Sequence, residues 1–270
     1  MTTGIAIIGG TGFGSGLAIN RSREDVLSAT YNSLSRGYLL DHKFPITRYY
    51  PDKIGLPSEI VFVNRHAVLL NCAFFPSPEN VATETLMIGL YQEGIRRGIE
   101  YNIISTSAVG ISDTSLGPGT IGIPDDFVDR VNYSPSFEID GFKPDYVSMH
   151  PSFDPKLREI MLQAAEIENV RVVNGGIYVR RLKGRRYETA EEVEEEMMLH
   201  PNKLLYFGMT SPEEDIAANA LGMKYATIVF ATNNGAGLDA PISHENVAKE
   251  FEKALPRGIR IINRASELLH

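Results

Sequence analysis

The chain has 270 residues, 43% apolar and 22% charged, with 24 glycines, 15 prolines, no tryptophan and one cysteine. A formal charge of −8 argues against a nucleic acid or an anionic membrane surface as the main partner. The lone Cys72 excludes an intrachain disulfide framework. Length and apolar content suit one large domain with a packed core. No apolar run nears the roughly 18 residues of a membrane span, and MTTGIAIIGG lacks the pattern of a secretory leader. The expectation is a soluble, cytoplasmic α/β protein.

In chain order, a buried strand is predicted over Gly4–Gly10, followed by the glycine-rich turn Thr11 to Gly16. Ile60–Val63 and Val68–Phe74 read as strands joined in a hairpin at Asn64-Arg65-His66. A helix is predicted over Glu79–Arg97, stopped by Gly98. A strand over Tyr101–Ser105 ends in Thr106-Ser107-Ala108-Val109-Gly110, and Ile121–Pro124 forms another. Ser134 to His150 carries prolines and reads as a surface excursion. Helices follow over Pro155–Glu168, Thr189–Met198, Pro212–Leu221 and Ser243–Leu255, with strands over Val170–Val173, Leu204–Met209 and Ala226–Phe230. The run Glu191 to Glu196 reads as a solvated helix face. Strands alternating with helices imply a single domain with a central mixed twisted sheet flanked by helices on both faces.

The glycine-rich turn can be tested as a dinucleotide site. Starting at Gly10 the sixth position is Ser15, and starting at Gly12 it is Leu17, so the Gly-x-Gly-x-x-Gly spacing fails. The short-chain reductase variant needs a Tyr and Lys four apart on a helix. The pair Tyr49 and Lys53 is interrupted by Pro51. A nicotinamide oxidoreductase is therefore the weaker alternative. The turn reads instead as an anion cradle of backbone N–H groups and the Thr11 hydroxyl, or simply as a tight turn.

Three further segments resemble the trimeric purine nucleoside and methylthioadenosine phosphorylase family. They are Ser107 to Gly110 with Ile123 to Arg130, Gly175 to Val179 with Gly184 to Thr189, and Gly208 to Glu213, preceded by Ile7 to Gly12. The resemblance covers about residues 4 to 255 and implies a nucleoside phosphorylase-like fold and a homotrimer. The implied activity is cleavage of a purine nucleoside by phosphate as co-substrate, with no cofactor and no metal. The six histidines lack the local spacing of a zinc motif, in agreement.

Carried over by position, Thr11, Ser107, Ala108 and Thr210 match phosphate contacts, Met209 the residue under the ribose and Tyr187 an aromatic against the base. Core packing is the plain alternative for Met209 and Tyr187, helix capping for Thr210. Asn233 stands where the methylthioadenosine branch has Asp, and its amide can both donate and accept. With Glu188, which would accept from N1–H, it favours a 6-oxopurine such as inosine, guanosine or 5′-methylthioinosine. Asn233 and Glu188 are thus the expected catalytic pair. His244 resembles the branch's histidine near the ribose 5′ position, against the plain reading of a surface helix residue.

One departure concerns the anion. Counted back from Ser107, Ser77 and Pro78 fall where the family has an Arg-His pair. Arg65-His66 lies before the strand predicted over Val68–Phe74, about 20 Å long, and reads as a solvated turn. Gly184-Arg185-Arg186 adds a cation in place of Gly-Pro-Arg. Three outcomes stay open: phosphate held without that pair, water as the nucleophile in a nucleosidase, or a purine pocket without turnover.

Overall fold

The computed structural model describes residues 2–9, 22–33, 38–49, 60–65, 68, 78–182 and 186–269. Its strands are β1 (Thr2–Gly9), β2 (Ser22–Ser33), β3 (Tyr38–Tyr49), β4 (Ile60–Asn64), β5 (Ile99–Ile111), β6 (Ile121–Ile123), β7 (Asp126–Asp129), β8 (Phe137–Glu138), β9 (Val173–Asn174), β10 (Ile177–Arg180), β11 (Leu205–Gly208) and β12 (Tyr225–Asn234). Five helices accompany them among the described residues: α1 (Pro78–Arg97), α2 (Pro155–Ile167), α3 (Ala190–Leu199), α4 (Ser211–Ala220) and α5 (His244–Leu268).

All twelve strands belong to one mixed sheet, running β7-β10-β11-β5-β1-β4-β3-β2-β8, with β12 on β5 and β6, and β9 on β6. The long strand β5 organises it. Its first half pairs in parallel with β1, from Thr2↔Ile99 to Ile8↔Ser105. Its last residues pair antiparallel with β11, at Phe207↔Gly110 and Tyr206↔Ile111. Residues 106–109 lie between these two registers, where the neighbour on that edge changes. Such a change of partner at strand ends is where open α/β sheets place ligands. On its other edge β5 pairs with β12 throughout, from Tyr225↔Ile103 to Asn234↔Ile111.

Local chemistry sets the helices. Gly98 ends α1 with φ +68°, a conformation a side chain rarely adopts. Asp154 caps α2 by accepting from Leu157 N, and the helix buries Leu157, Ile160, Met161, Ala164 and Ala165 at helical spacing. Thr189 and Glu192 form a capping box on α3. Helix α5, capped by Ser243, runs on through Pro256 to Leu268, well past the Leu255 expected from sequence. Pro256 faces solvent, so water serves the carbonyl it leaves free, while Ile259, Ile261, Ile262 and Ala265 hold the helix by burial.

Several expectations are corrected. Arg65 and Val68 are helical, so the chain does not reverse into a hairpin at Asn64-Arg65-His66; β4 instead pairs with β1 and β3. The rest of the Val68–Phe74 strand, with Cys72 and Ser77, lies outside the described residues. Strand β5 continues through the stretch read as its end, and Val170–Val173 shrinks to Val173–Asn174. The two 12-residue strands β2 and β3 were not anticipated. The acidic run is not uniformly solvated: Glu196 is buried against Arg130 and Arg181.

Candidate active site

The change of partner along β5 brings four chain segments to one place. Ser107 and Ala108 occupy it, Ser107 buried and Ala108 exposed. Just beyond β11 come Met209 and Thr210, both half-buried, at the strand-to-helix turn into α4. Thr210 holds the N-cap position, but its hydroxyl makes no capping bond, and Oγ1 is buried without a partner. A buried hydroxyl left open in this way has its donor available. The capping alternative for Thr210 is thereby set aside.

Tyr178 of β10 links the two hydroxyl residues. The Thr210 N–H donates to the Tyr178 oxygen at 3.3 Å, and that hydroxyl lies 2.9 Å from Ser107 Oγ. Gly208 makes room for it, because a Cβ there would overlap the Tyr178 hydroxyl.

Arg65 corrects the reading of a solvated turn. Its Nε and Nη2 donate to the two carboxylate oxygens of Glu214 in the first turn of α4, the second at 3.0 Å. Nη1 donates to the Thr106 carbonyl at 3.2 Å. Because β4 runs parallel to β1, and β1 to β5, the end of β4 lies beside residue 106 rather than a strand's length away. A cation therefore stands beside the hydroxyl pair. Burial alone would lower the Arg65 pKa, but the Glu214 carboxylate outweighs it and holds the guanidinium charged. Tyr225 donates to Glu214 Oε2 at 2.7 Å and also meets Ser105, whose hydroxyl bonds Thr227 at 2.9 Å. This buried network anchors the pair from beneath.

The far end of the site is built where β12 leaves the sheet. Its pairing with β5 slips between Ala231 and Asn233, a bulge that leaves Asn233 beside Gly110. A Cβ on Gly110 would crowd Asn233 Nδ2 to 3.0 Å. The Asn233 amide accepts from Thr232 Oγ1 at 3.0 Å and donates to the Asn234 carbonyl at 2.7 Å, leaving one N–H and one lone pair free. The following turn packs on α3: a Cβ at Gly235 would press on Val193, and one at Gly237 on Ala190. The residues just ahead of α3 therefore face the end of β12. Among them Glu188 has Oε1 buried without a partner, and burial pushes its pKa up. Asn234 likewise keeps a buried, unpartnered Oδ1 while donating from Nδ2 to Asp239.

Tyr187 lies half-buried with its hydroxyl 3.4 Å from His244 Nδ1, the exposed first residue of α5. The structure thus brings Ser107, Ala108, Met209 and Thr210 together at one end, and Asn233 with Glu188, Tyr187 and His244 toward the other. Thr11, His66 and Arg185 lie outside the described residues. Arg186 is exposed and pairs bidentately with Glu192 at 2.8 Å, so it serves the start of α3 rather than the anion. Its hydrogen bonds bring Glu192 down to a pKa of about 2. No group of three or more metal-ligating side chains occurs among the described residues, and no described helix is long and apolar enough to cross a membrane.

Sequence reasoning missed Tyr178, Arg180, Glu214 and Asn234. Tyr178 lies inside the segment Gly175 to Val179, and the place of Arg65 depends on β4 running parallel to β1. Arg180 and Glu214 carry no local signal, because their roles depend on strand order.

Residues 64–267 match the family described as the phosphorylase superfamily. A probable S-methyl-5′-thioinosine phosphorylase of Methanopyrus kandleri is 28% identical over 99% of this chain and 93% of its own. A 6-oxopurine nucleoside phosphorylase of Pyrococcus furiosus is 27% identical over 98% and 92%. The methylthioadenosine phosphorylase from Schistosoma mansoni in complex with adenine shares the fold, with a TM-score of 0.73 at 20% identity, covering all of this chain and 92% of that one. By sequence and by fold, this chain belongs to the phosphorylase superfamily.

Proposed function

We propose that this protein is a purine nucleoside phosphorylase acting on 6-oxopurine nucleosides, among them inosine, guanosine and 5′-methylthioinosine. The observation that carries the reading is that two residues of the assigned site keep buried polar atoms without a partner: a hydroxyl at Thr210 and a carboxylate oxygen at Glu188. The names of two full-length relatives support both the chemistry and the base.

The reaction follows from these groups. Phosphate sits on the free N–H bonds of Arg65, the hydroxyls of Ser107 and Thr210, and the backbone at Ala108, with Thr11 as a further contact. Its oxygen bonds to the sugar C1′ while the C1′–N9 bond breaks, and the bonding pair passes to the purine. Asn233 donates at N7 as charge develops there, and ionised Glu188 accepts from N1–H. Met209 and His244 hold the ribose, and Tyr187 packs at the base. Products are ribose 1-phosphate, or 5-methylthioribose 1-phosphate from 5′-methylthioinosine, and the free base, whose proton comes from the phosphate or from water; phosphate is the co-substrate and no cofactor takes part. Adenine has no hydrogen at N1 and would set a lone pair against Glu188.

We place the enzyme in the cytoplasm as a homotrimer, on the family likeness and the acidic composition. The deciding assay offers inosine, guanosine, adenosine and 5′-methylthioinosine with and without phosphate and identifies the sugar product. Ribose 1-phosphate from the 6-oxopurines supports the reading; free ribose in phosphate-free buffer would replace it with a hydrolase.

A further inference from the structure

One peptide group, between Met209 and Thr210, is held at both ends by a single strand. Its carbonyl accepts from Arg180 Nε at 2.9 Å, and its N–H donates to the Tyr178 hydroxyl at 3.3 Å. Residues 178 and 180 are two apart on β10 and so project from the same face. Both are buried, and Arg180 is 1% exposed. A guanidinium at that depth needs every donor occupied. Besides Met209 it reaches Asp129 on β7 at 3.3 and 3.4 Å and Glu213 in the first turn of α4. Asp129 is itself fixed, accepting from the backbone N–H groups of Val131 and Tyr133 at 3.0 and 2.8 Å.

We infer that Tyr178 and Arg180 form a two-point clamp on the Met209–Thr210 peptide, and act as positioning residues for the two anion-facing hydroxyls, Thr210 and Ser107. The inference rests on the proposed function for its consequence, though not for its geometry. The Tyr178 oxygen accepts from Thr210, and either hydroxyl can donate across the 2.9 Å contact with Ser107 Oγ; with Tyr178 as the donor, the Ser107 proton, which otherwise goes to the Ala108 carbonyl at a long 3.4 Å, can turn to an anion. The clamp therefore sets two hydroxyls at once: Thr210 by orienting its backbone and Ser107 by occupying its lone pair. Without it the peptide can rotate, and both hydroxyls lose their aim at the anion while the base end is untouched.

The test is a double-mutant cycle of Tyr178→Phe and Arg180→Lys, with kcat and separate KM values for phosphate and inosine, and crystal structures of both single variants. Tyr178→Phe removes one hydroxyl from an otherwise unchanged ring and is expected to fold even where Arg180→Lys does not. It should raise the phosphate KM roughly tenfold, the scale of one lost hydrogen bond, and leave the inosine KM within about twofold of the wild type. If Arg180→Lys folds, the double variant should be scarcely worse than the poorer single one, because both act on the same peptide. Additive effects, or a fall in Tm with both KM values unchanged, overturn the clamp. If the wild type cleaves no nucleoside with phosphate, the functional reading fails alone. The clamp is then decided by the structures, where an unmoved 209–210 peptide in the Tyr178→Phe variant refutes it.

Discussion

Arg65 and Glu214 meet fork to fork, Nε and Nη2 each donating to a separate carboxylate oxygen, with Arg65 at the end of β4 and Glu214 in the first turn of α4. The carboxylate side chain is only 3% exposed and the guanidinium 14%. Pairing of this kind fixes a cation in direction as well as in charge. It leaves guanidinium N–H bonds that neither Glu214 nor the Thr106 carbonyl takes, the bonds assigned above to phosphate.

Removing the cation should therefore cost both stability and phosphate affinity. Arg65→Met strands a buried carboxylate, a loss of about 3–5 kcal/mol, read in a denaturant titration. Arg65→Met with Glu214→Leu should regain most of that stability and none of the phosphate affinity. A double variant with normal phosphate KM would show that Arg65 does not touch the anion.

Glu188 predicts a pH dependence. Burial raises its pKa above the ordinary 4.5, so the neutral acid is favoured. Only the ionised form accepts from N1–H, so kcat/KM for inosine should fall as pH drops through a midpoint above 4.5. Glu188→Gln should lower kcat/KM and abolish that acid limb. An unchanged limb in the Gln variant would assign it to another group.

Asn233→Ala should cut kcat by roughly two to three orders of magnitude as the donor to N7 is lost. Asn233→Asp should shift the preference toward 6-aminopurine nucleosides, because the carboxylate accepts from an amino group and repels a carbonyl. Competition between inosine and adenosine gives the ratio directly; an unaltered ratio rejects Asn233 as the base reader.

Asp215, buried in α4 near Asp154, has its pKa raised well above the usual value by burial, with Asp154 adding to the shift. The sign follows from linkage. A carboxyl raised in the folded state contributes fully below its unfolded pKa, and the benefit is lost as pH climbs through the folded value. Asp215→Asn should thus match the wild type in Tm near the acid end and exceed it at neutral and alkaline pH. Equal melting curves across pH would place an ionised carboxylate there at no cost.

Most helices and the central strands could be read from hydrophobic periodicity, as the helix over Pro155–Glu168 illustrates, while the caps at Asp154 and Thr189 appear only in the structure. Strands β2 and β3 could not. In Val26 to Tyr31 the buried positions are Leu27, Ala29 and Tyr31, an alternation carried partly by a small residue. In β3 the exposed Pro45 looks like a breaker although it faces outward. Ser107, Thr210, Glu188 and Asn233 stand out as candidates in the sequence because the short segments that carry them keep their order. Arg65 was misplaced because its position depends on β4 running parallel to β1, a long-range fact that no local spacing encodes. Tyr178 and Arg180 gain their meaning only once β10 is seen beside the end of β11.

The slip in β12 between Ala231 and Asn233 separates two obligations of one strand. Tyr225 to Ala231 are fully interior and answer to packing and to the buried bonds of Tyr225 and Thr227, whereas Asn233 and Asn234 sit past the irregularity, with part of their surface free. Exchanging the amides at the tip leaves the interior of the strand as it was. On the role proposed for Asn233, preference for one nucleobase over another becomes modular, adjustable without renegotiating how the protein folds.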